Sequence, residues 1–376
     1  MSLSWSRPTR EADVRARTWV WSAVLVVILA VVVVASAAVG PVSIGFLTIL
    51  KAIADAIAIP VPALAVDTWH LGTLAVPGPM AQVRWWSPAS VAVPDTERTI
   101  VVTLRLPRIA MGAGVGFSLA TAGCVMQGFF RNPMADPSII GVSSGGAVGA
   151  VAAIVAPVAV PFGLPVAAFV GATAAAFSVY LIATQNGRTP VATLLLAGVA
   201  VQTLLGAVVA YMLVRSGRNL REAYYWLVGH LDAANWSKVA VVVPVAVLCF
   251  LVLFAYARDL NLLLLGEEDA ASLGVNAERT KRILLAVSSV MTGAAVAVSG
   301  VIAFVGLIVP HVMRLVVGPD HRVLLPASAL AGASFLVATD TVARSGAAEL
   351  PVGILTAFLG APFFLYLLRR REVHAL

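Results

Sequence analysis

The chain has 376 residues and a formal charge of +7, yet 60% of its residues are hydrophobic and only 11% are charged. Soluble domains carry about 25% charged residues, so this composition, with a mean hydropathy of +0.96, cannot coat a water-facing particle and marks an integral membrane protein. Disordered, fibrous and disulfide-scaffold classes are excluded too, since the two cysteines, Cys124 and Cys249, lie in apolar stretches where a thiol packs as a small hydrophobe.

A bilayer-crossing helix takes about 20 largely apolar residues, and windows free of Asp, Glu, Lys and Arg mark the crossings. The first window is 18–50. Arg15 and Arg17 before it and Ala35-Ser36-Ala37 near its end resemble a secretory signal. Its apolar core from Trp19 to Ala35 exceeds the roughly 7–15 residues of such signals, so a retained helix is expected. Residues 51–104 follow as a Pro-rich external loop with His70 and Trp85-Trp86.

The second span is 109–130. Window 137–187 holds two helices, because Pro157, Pro161, Gly163 and Pro165 interrupt it. A fifth helix occupies 189–214. The external segment 215–238 carries Tyr224-Tyr225-Trp226, His230 and Trp236, aromatics of the kind that sit at a membrane interface. Span six is 239–257, and 258–282 is the main cytoplasmic connection. Window 283–313 is too long for one crossing, and Gly300, Gly306 and Pro310 divide it into a full helix and a short one. Windows 323–339 and 350–368 complete an all-α protein of ten transmembrane helices in one membrane domain, 1–376.

An even count puts both termini on one side. Arg7, Arg10, Arg15, Arg17 and Arg369-Arg370-Arg371 abut span ends, which places that side in the cytoplasm, with 1–18 as a cytoplasmic tail. The positive charge is thus an orientation signal and implies no nucleic acid. Small residues at four-residue spacing, Gly112/Gly116, Gly141/Gly145/Gly149 and Gly353/Ala357/Ala361, form stripes that let helices approach closely.

Asp340 is the one carboxylate within an apolar helix, and His311 sits at a Pro-His step. Intramembrane ionisable groups suggest function, so an ion-coupled carrier with Asp340 as its proton site is one candidate. No enzyme is expected. The only lysines, Lys51, Lys238 and Lys281, are not preceded by Gly, so no phosphate-cradling loop exists, and His-Glu-x-x-His and Gly-x-Ser-x-Gly are absent. Uphill transport would draw on a partner or an ion gradient.

The most suggestive polar segment is Gly266-Glu267-Glu268-Asp269-Ala270-Ala271-Ser272-Leu273-Gly274. Three acids at the start and a Gly at the end suit a short helix with its dipole matched and its stop supplied. On the cytoplasmic face, such a helix is a docking knob for a soluble subunit.

Several motifs, in order, resemble the permeases of type II ABC importers for iron-siderophore complexes, haem and vitamin B12. They are Arg105-Leu106-Pro107-Arg108, Gln127 through Pro137, Gly141-Val142-Ser143-Ser144-Gly145, Leu194 through Gly198, Tyr225 through Gly229, the acidic knob, Phe304 through His311, Glu349 through Gly353, and Gly360 through Phe364. The match covers about residues 100 to 371. It implies a homodimer in the cytoplasmic membrane of a bacterium, two ATP-binding cassette subunits beneath it, and an external substrate-binding protein above. Segment 266–274 would be the helix that couples to the ATPase. Arg105, Arg108 and Arg344 would pair with acids on the binding protein. Thr189-Pro190-Val191-Ala192-Thr193 would sit at the cytoplasmic gate, where Pro190 and Val191 depart from the family's small polar residues. His311 belongs to a shared motif and is structural. The chain would bind no metal or cofactor of its own, and the partner would use ATP and Mg. Haem is favoured as cargo, with ferric siderophores next and vitamin B12 behind, on the resemblance of Phe129 through Met134 to haem permeases; His70 and His230 are external histidines that could meet haem iron.

Overall fold

A computed structural model of the chain describes residues 11–40, 42, 44–56, 59–71, 74–86, 94–155, 163–346 and 348–370. The turn expected at Pro157 and Pro161, and Arg7, Arg10 and Arg371 of the orientation argument, lie outside these residues.

Helix α1 runs Glu11–Ala38, so the tail expected over 1–18 is shorter by the first two turns of helix. Glu11 and Asp13 in the first turn match the positive helix end and extend it past the apolar core. The segment expected as a loop contains α2, Phe46–Ala56, and a hairpin of β1, Ile59–Leu71, and β2, Leu74–Trp86. The strands are antiparallel, with Ile59 opposite Trp86 and Leu71 opposite Leu74. Pro60 and Pro62 on β1 and Pro77 and Pro79 on β2 are compatible with this because each strand of a two-stranded ribbon keeps one unpaired edge, where a missing N–H costs nothing.

Next, α3, Asp95–Thr99, a π-helical turn, Ile100–Arg105, and α4, Leu106–Phe129, form one continuous helix of 35 residues. A 3₁₀ turn, Pro137–Ile140, leads into α5, Val142–Val155; then come α6, Leu164–Ala183, and α7, Val191–Arg215. The aromatic segment contains α8, Leu220–Leu227, before α9, Trp236–Ala255. The polar connection holds α10, Ala257–Leu263, and α11, Glu267–Ser272, and flows into α12, Ala277–Ser299. Helices α13, Val305–Val317, α14, His321–Ala343, and α15, Val352–Arg370, complete the chain.

Seven of the described helices are long and apolar enough to cross a membrane, and α5, α13 and α15 add three shorter apolar stretches, in the order of the ten spans expected from the sequence. With 14 and 13 residues, α5 and α13 reach only about 20 Å at 1.5 Å per residue, short of a hydrocarbon core of about 30 Å.

Helices α4 and α14 are mostly buried, whereas α1, α7 and α9 expose most of their apolar surface. The small-residue stripes explain the centre. A Cβ at Gly116 of α4 would strike the Gly332 carbonyl of α14, and one at Gly145 of α5 would strike the Gly171 carbonyl of α6. Backbones touch there, and dispersion and close packing replace the hydrophobic force that lipid cannot supply. Gly141 leaves its expected stripe: its φ of 82° makes it the left-handed residue that ends the 3₁₀ turn before α5.

Helix ends are held by arginines from elsewhere. Arg17 of α1 donates to the Val317 carbonyl at the end of α13 at 2.6 Å. At the other end of the bundle, Arg105 donates to the Ala37 carbonyl at 2.5 Å and the Ala38 carbonyl at 3.4 Å, closing the end of α1. Cations suit helix C-termini because the last carbonyls are unsatisfied and the dipole is negative there.

A candidate coupling site around Lys281

The acidic knob forms as a discrete element. Helix α11 is flanked by Gly266, φ 137°, and Gly274, φ 86°, conformations in the left-handed half of the map that side chains avoid. Ala270 is fully buried and anchors the helix, while Glu267, Glu268, Asp269 and Leu273 are exposed. One face is therefore fixed to the protein and the other, three acids and one leucine, is open.

Beside it lies Lys281 in the second turn of α12, 5% exposed. Its Nζ donates to Glu267 Oε1 at 3.1 Å and Oε2 at 3.2 Å, lies 2.6 Å from Glu278 Oε1, and donates to the Thr189 carbonyl at 3.1 Å. An ammonium has three N–H donors, and all are engaged. Glu278 Oε2 in turn accepts from the Thr189 backbone N–H at 3.3 Å. The Thr189 residue is thus held on both of its backbone polar groups.

Thr189 closes a tight connection from α6 to α7. Gln185 and Arg188 exchange backbone hydrogen bonds at 2.9 and 3.0 Å, and Asn186 and Gly187 both have positive φ, 50° and 74°. That is the geometry of a two-residue type I′ turn. The Thr184 and Thr189 hydroxyls pair at 3.0 Å across it. Pro190 then caps α7, with φ of −63° suited to the position.

The expected coupling and gate segments thereby meet. Gly266, Glu267, Glu268 and Asp269 from one, and Pro190, Val191 and Ala192 from the other, line a common cavity of about 810 Å³, with Phe129 at the end of α4, Phe130 and Arg131 after it, Arg188, Leu263, Leu265, Glu278 and Lys281. Thr189, Thr193 and Ala270 through Gly274 lie outside that lining. Lys281 and Glu278 were not legible as site residues: in sequence they read as a run of charges at a helix start.

The opposite end of the bundle holds the three arginines expected to dock a binding protein, and each has partners within the chain. Arg105 is 5% exposed and spent on the Ala37, Ala38 and Val42 carbonyls. Arg344 is buried, donating to the Ser36 carbonyl and to Ser36 Oγ at 2.8 Å. Arg108 grips Asp340 with two bonds of 2.9 Å and also pairs with Glu349. Only the Arg108–Glu349 pair reaches the surface, with side chains 14% and 46% exposed. Asp340, 3% exposed, also has Arg344 Nε 3.7 Å away. It is a doubly paired structural acid rather than a free proton carrier.

The remaining candidates have local roles. His230 packs on Tyr225, with ring centroids 4.8 Å apart, and has Nε2 3.6 Å from Asp232 Oδ1. Burial lowers its pKa below the usual histidine value, only partly offset by Asp232. His311 is buried within α13, and Cys124 is fully buried, as a small hydrophobe should be. His70 lies on β1.

The family model of the FecCD transport family matches residues 28–370. The chain is 58% identical over 370 residues to the cobalamin import system permease protein BtuC of Halobacterium salinarum, covering 98% of this chain and 100% of that one. It is 44% identical over 286 residues to the hemin transport system permease protein HmuU of Yersinia pestis, covering 73% of this chain and 84% of that one. A solved structure of an ABC transporter assigned to the metal-chelate type, in an inward-facing conformation, superposes with a TM-score of 0.76 at 30% identity, covering 93% of this chain and 98% of that one.

Proposed function

Because the chain belongs to the FecCD transport family, as a permease of ABC importers for iron chelates, haem or vitamin B12, we propose that it works as a homodimer driven by two separate ATPase subunits and supplied by an external binding protein. The Lys281 end faces the cytoplasm in this reading, the Arg108 end faces outward, and both termini are cytoplasmic. Helix α11 is the contact with the ATPase. ATP binding and hydrolysis there shift the dimer between outward-open and inward-open states, and cargo moves only if it binds the two states unequally.

The observation that carries this reading is the shared cavity. The acidic helix open to a partner and the start of α7 both line it, and one lysine joins that helix to Thr189 just before α7. An ion-coupled carrier would instead need a titratable group free to exchange its proton in the spans, and Asp340 is taken up by Arg108.

For the cargo we place a cobalamin-type corrinoid first, ahead of the haem favoured by the sequence. The relative named for cobalamin is matched over nearly the whole of this chain, while the one named for hemin is matched over 73% of it. Haem stays second on that shorter match. Uptake of cyanocobalamin, haem and a ferric siderophore into liposomes holding the chain, its ATPase and its binding protein decides. Cobalamin entry supports the first assignment, haem entry alone transfers it to haem, and entry of none of the three contradicts the importer role.

A further inference from the structure

We propose that Lys281 is the positioning residue that carries displacement of α11 to the start of α7, so that the partner's grip on the knob is felt at the gate. The proposal rests on the coupling role of α11 and adds the residue through which it acts.

The joint has a rigid inner half and an adaptable outer half. Inside, Lys281 is 5% exposed and Thr189 2% exposed. Lys281, Glu278 and the Thr189 backbone form a closed loop of contacts at 2.6, 3.1 and 3.3 Å. Charge interactions strengthen away from water, and a buried carbonyl without its donor is costly, so this part moves as a unit. Because the type I′ turn binds Thr189 to Thr184, displacement of Thr189 pulls the end of α6 together with the start of α7.

Outside, Glu267 is 46% exposed while still holding Lys281 through both oxygens. One ammonium faces two carboxylates, so the cluster carries a net charge of −1, and the surplus lies at its exposed edge. A basic groove on a partner is the complementary surface. Contact there leaves the inner half intact and moves α11, and with it the ammonium that holds Thr189. A hydrophobic contact in place of Lys281 would keep the packing and lose the link.

Spin labels at the exposed positions Ala192 and Ala271 read the joint directly in the purified chain, independent of any cargo. Expected is a narrow distance distribution in the parent, broadened in Lys281→Met and restored in Lys281→Arg, which keeps the cation. Glu267→Gln, altered at a half-exposed group, should broaden it partly. In the reconstituted complex, Lys281→Met should keep ATP hydrolysis while cargo moved per ATP falls about tenfold, within the usual range of coupling between two sites, with Lys281→Arg recovering most of it. Unchanged label distances in both Lys281→Met and Glu267→Gln overturn the proposal, as does a parental cargo-to-ATP ratio in Lys281→Met. Absence of ATP-driven uptake in the parent instead contradicts the importer role, and the label distances still decide the joint.

Discussion

Lys281 Nζ lies 3.1 Å from the carbonyl oxygen of Thr189, 92 residues away in the chain, and donates a hydrogen bond to it. The bond joins the first turns of α12 to the turn that opens α7. Glu267 of α11 holds the same lysine, so the acidic helix is one residue removed from the segment proposed as the gate. The proposed coupling runs along that short path.

Asp340 should prove structural. Removing one partner of a buried pair costs roughly 3–5 kcal/mol, because the other charge stays buried and unpaired. Asp340→Ala is therefore expected to lower the thermal midpoint markedly by leaving Arg108 and Arg344 without their shared acid. Asp340→Asn, which keeps two hydrogen-bonding atoms, should retain ATP-driven uptake. Folded Asp340→Asn protein without uptake would restore the proton-carrier reading.

Glycine substitutions should separate by contact rather than by helix. Gly116→Ala drives a Cβ into the Gly332 carbonyl, which is backbone and cannot turn aside, so folded yield should collapse. Gly206, within α7, has nothing within 4 Å of an added Cβ, and Gly206→Ala should gain about 0.5–1 kcal/mol from helix propensity. Thermal unfolding of the two variants side by side checks both signs; equal behaviour would refute the packing of α4 on α14.

Arg105→Ala should loosen the end of α1. Without the guanidinium, the Ala37 and Ala38 carbonyls lose their donor. Hydrogen exchange in peptides covering 34–40 is expected to rise while exchange in α14 stays at the parental level. If instead exchange is unchanged and affinity for the binding protein falls, Arg105 acts at the docking surface after all.

The His230 loop should make the protein less stable in mild acid. Its folded pKa lies below 6.5 because burial disfavours the imidazolium. The unfolded chain then binds more protons, so the stability from neutral His230 is complete above pH 6.5 and declines as pH falls through that value. Thermal midpoints at pH 7.5 and 5.5 should differ more for the parent than for His230→Asn. Equal differences would show that His230 contributes nothing to acid sensitivity.

The membrane spans, the small-residue contacts other than that expected of Gly141, and the acidic knob were readable from the sequence, because each depends on local spacing: runs without charge, glycines four apart, and acids before a stop glycine. The hairpin was hidden because Pro60, Pro62, Pro77 and Pro79 signal loop, and only a ribbon with two free edges accommodates them. The bonds of Arg105 and Arg344 to the end of α1 were hidden for another reason. Charge counting assigns an arginine to a side of the membrane and cannot tell water or a partner's acid from the open carbonyls at the end of α1. Lys281 was missed because its role is set by Thr189, brought to it only by folding.

Sealed vesicles holding the chain alone, compared with vesicles that also hold its ATPase and binding protein, test the central claim most directly. The account expects cobalamin to accumulate only in the complete assembly with ATP, and no accumulation in the chain alone under a proton or sodium gradient. Gradient-driven accumulation by the chain alone would contradict it.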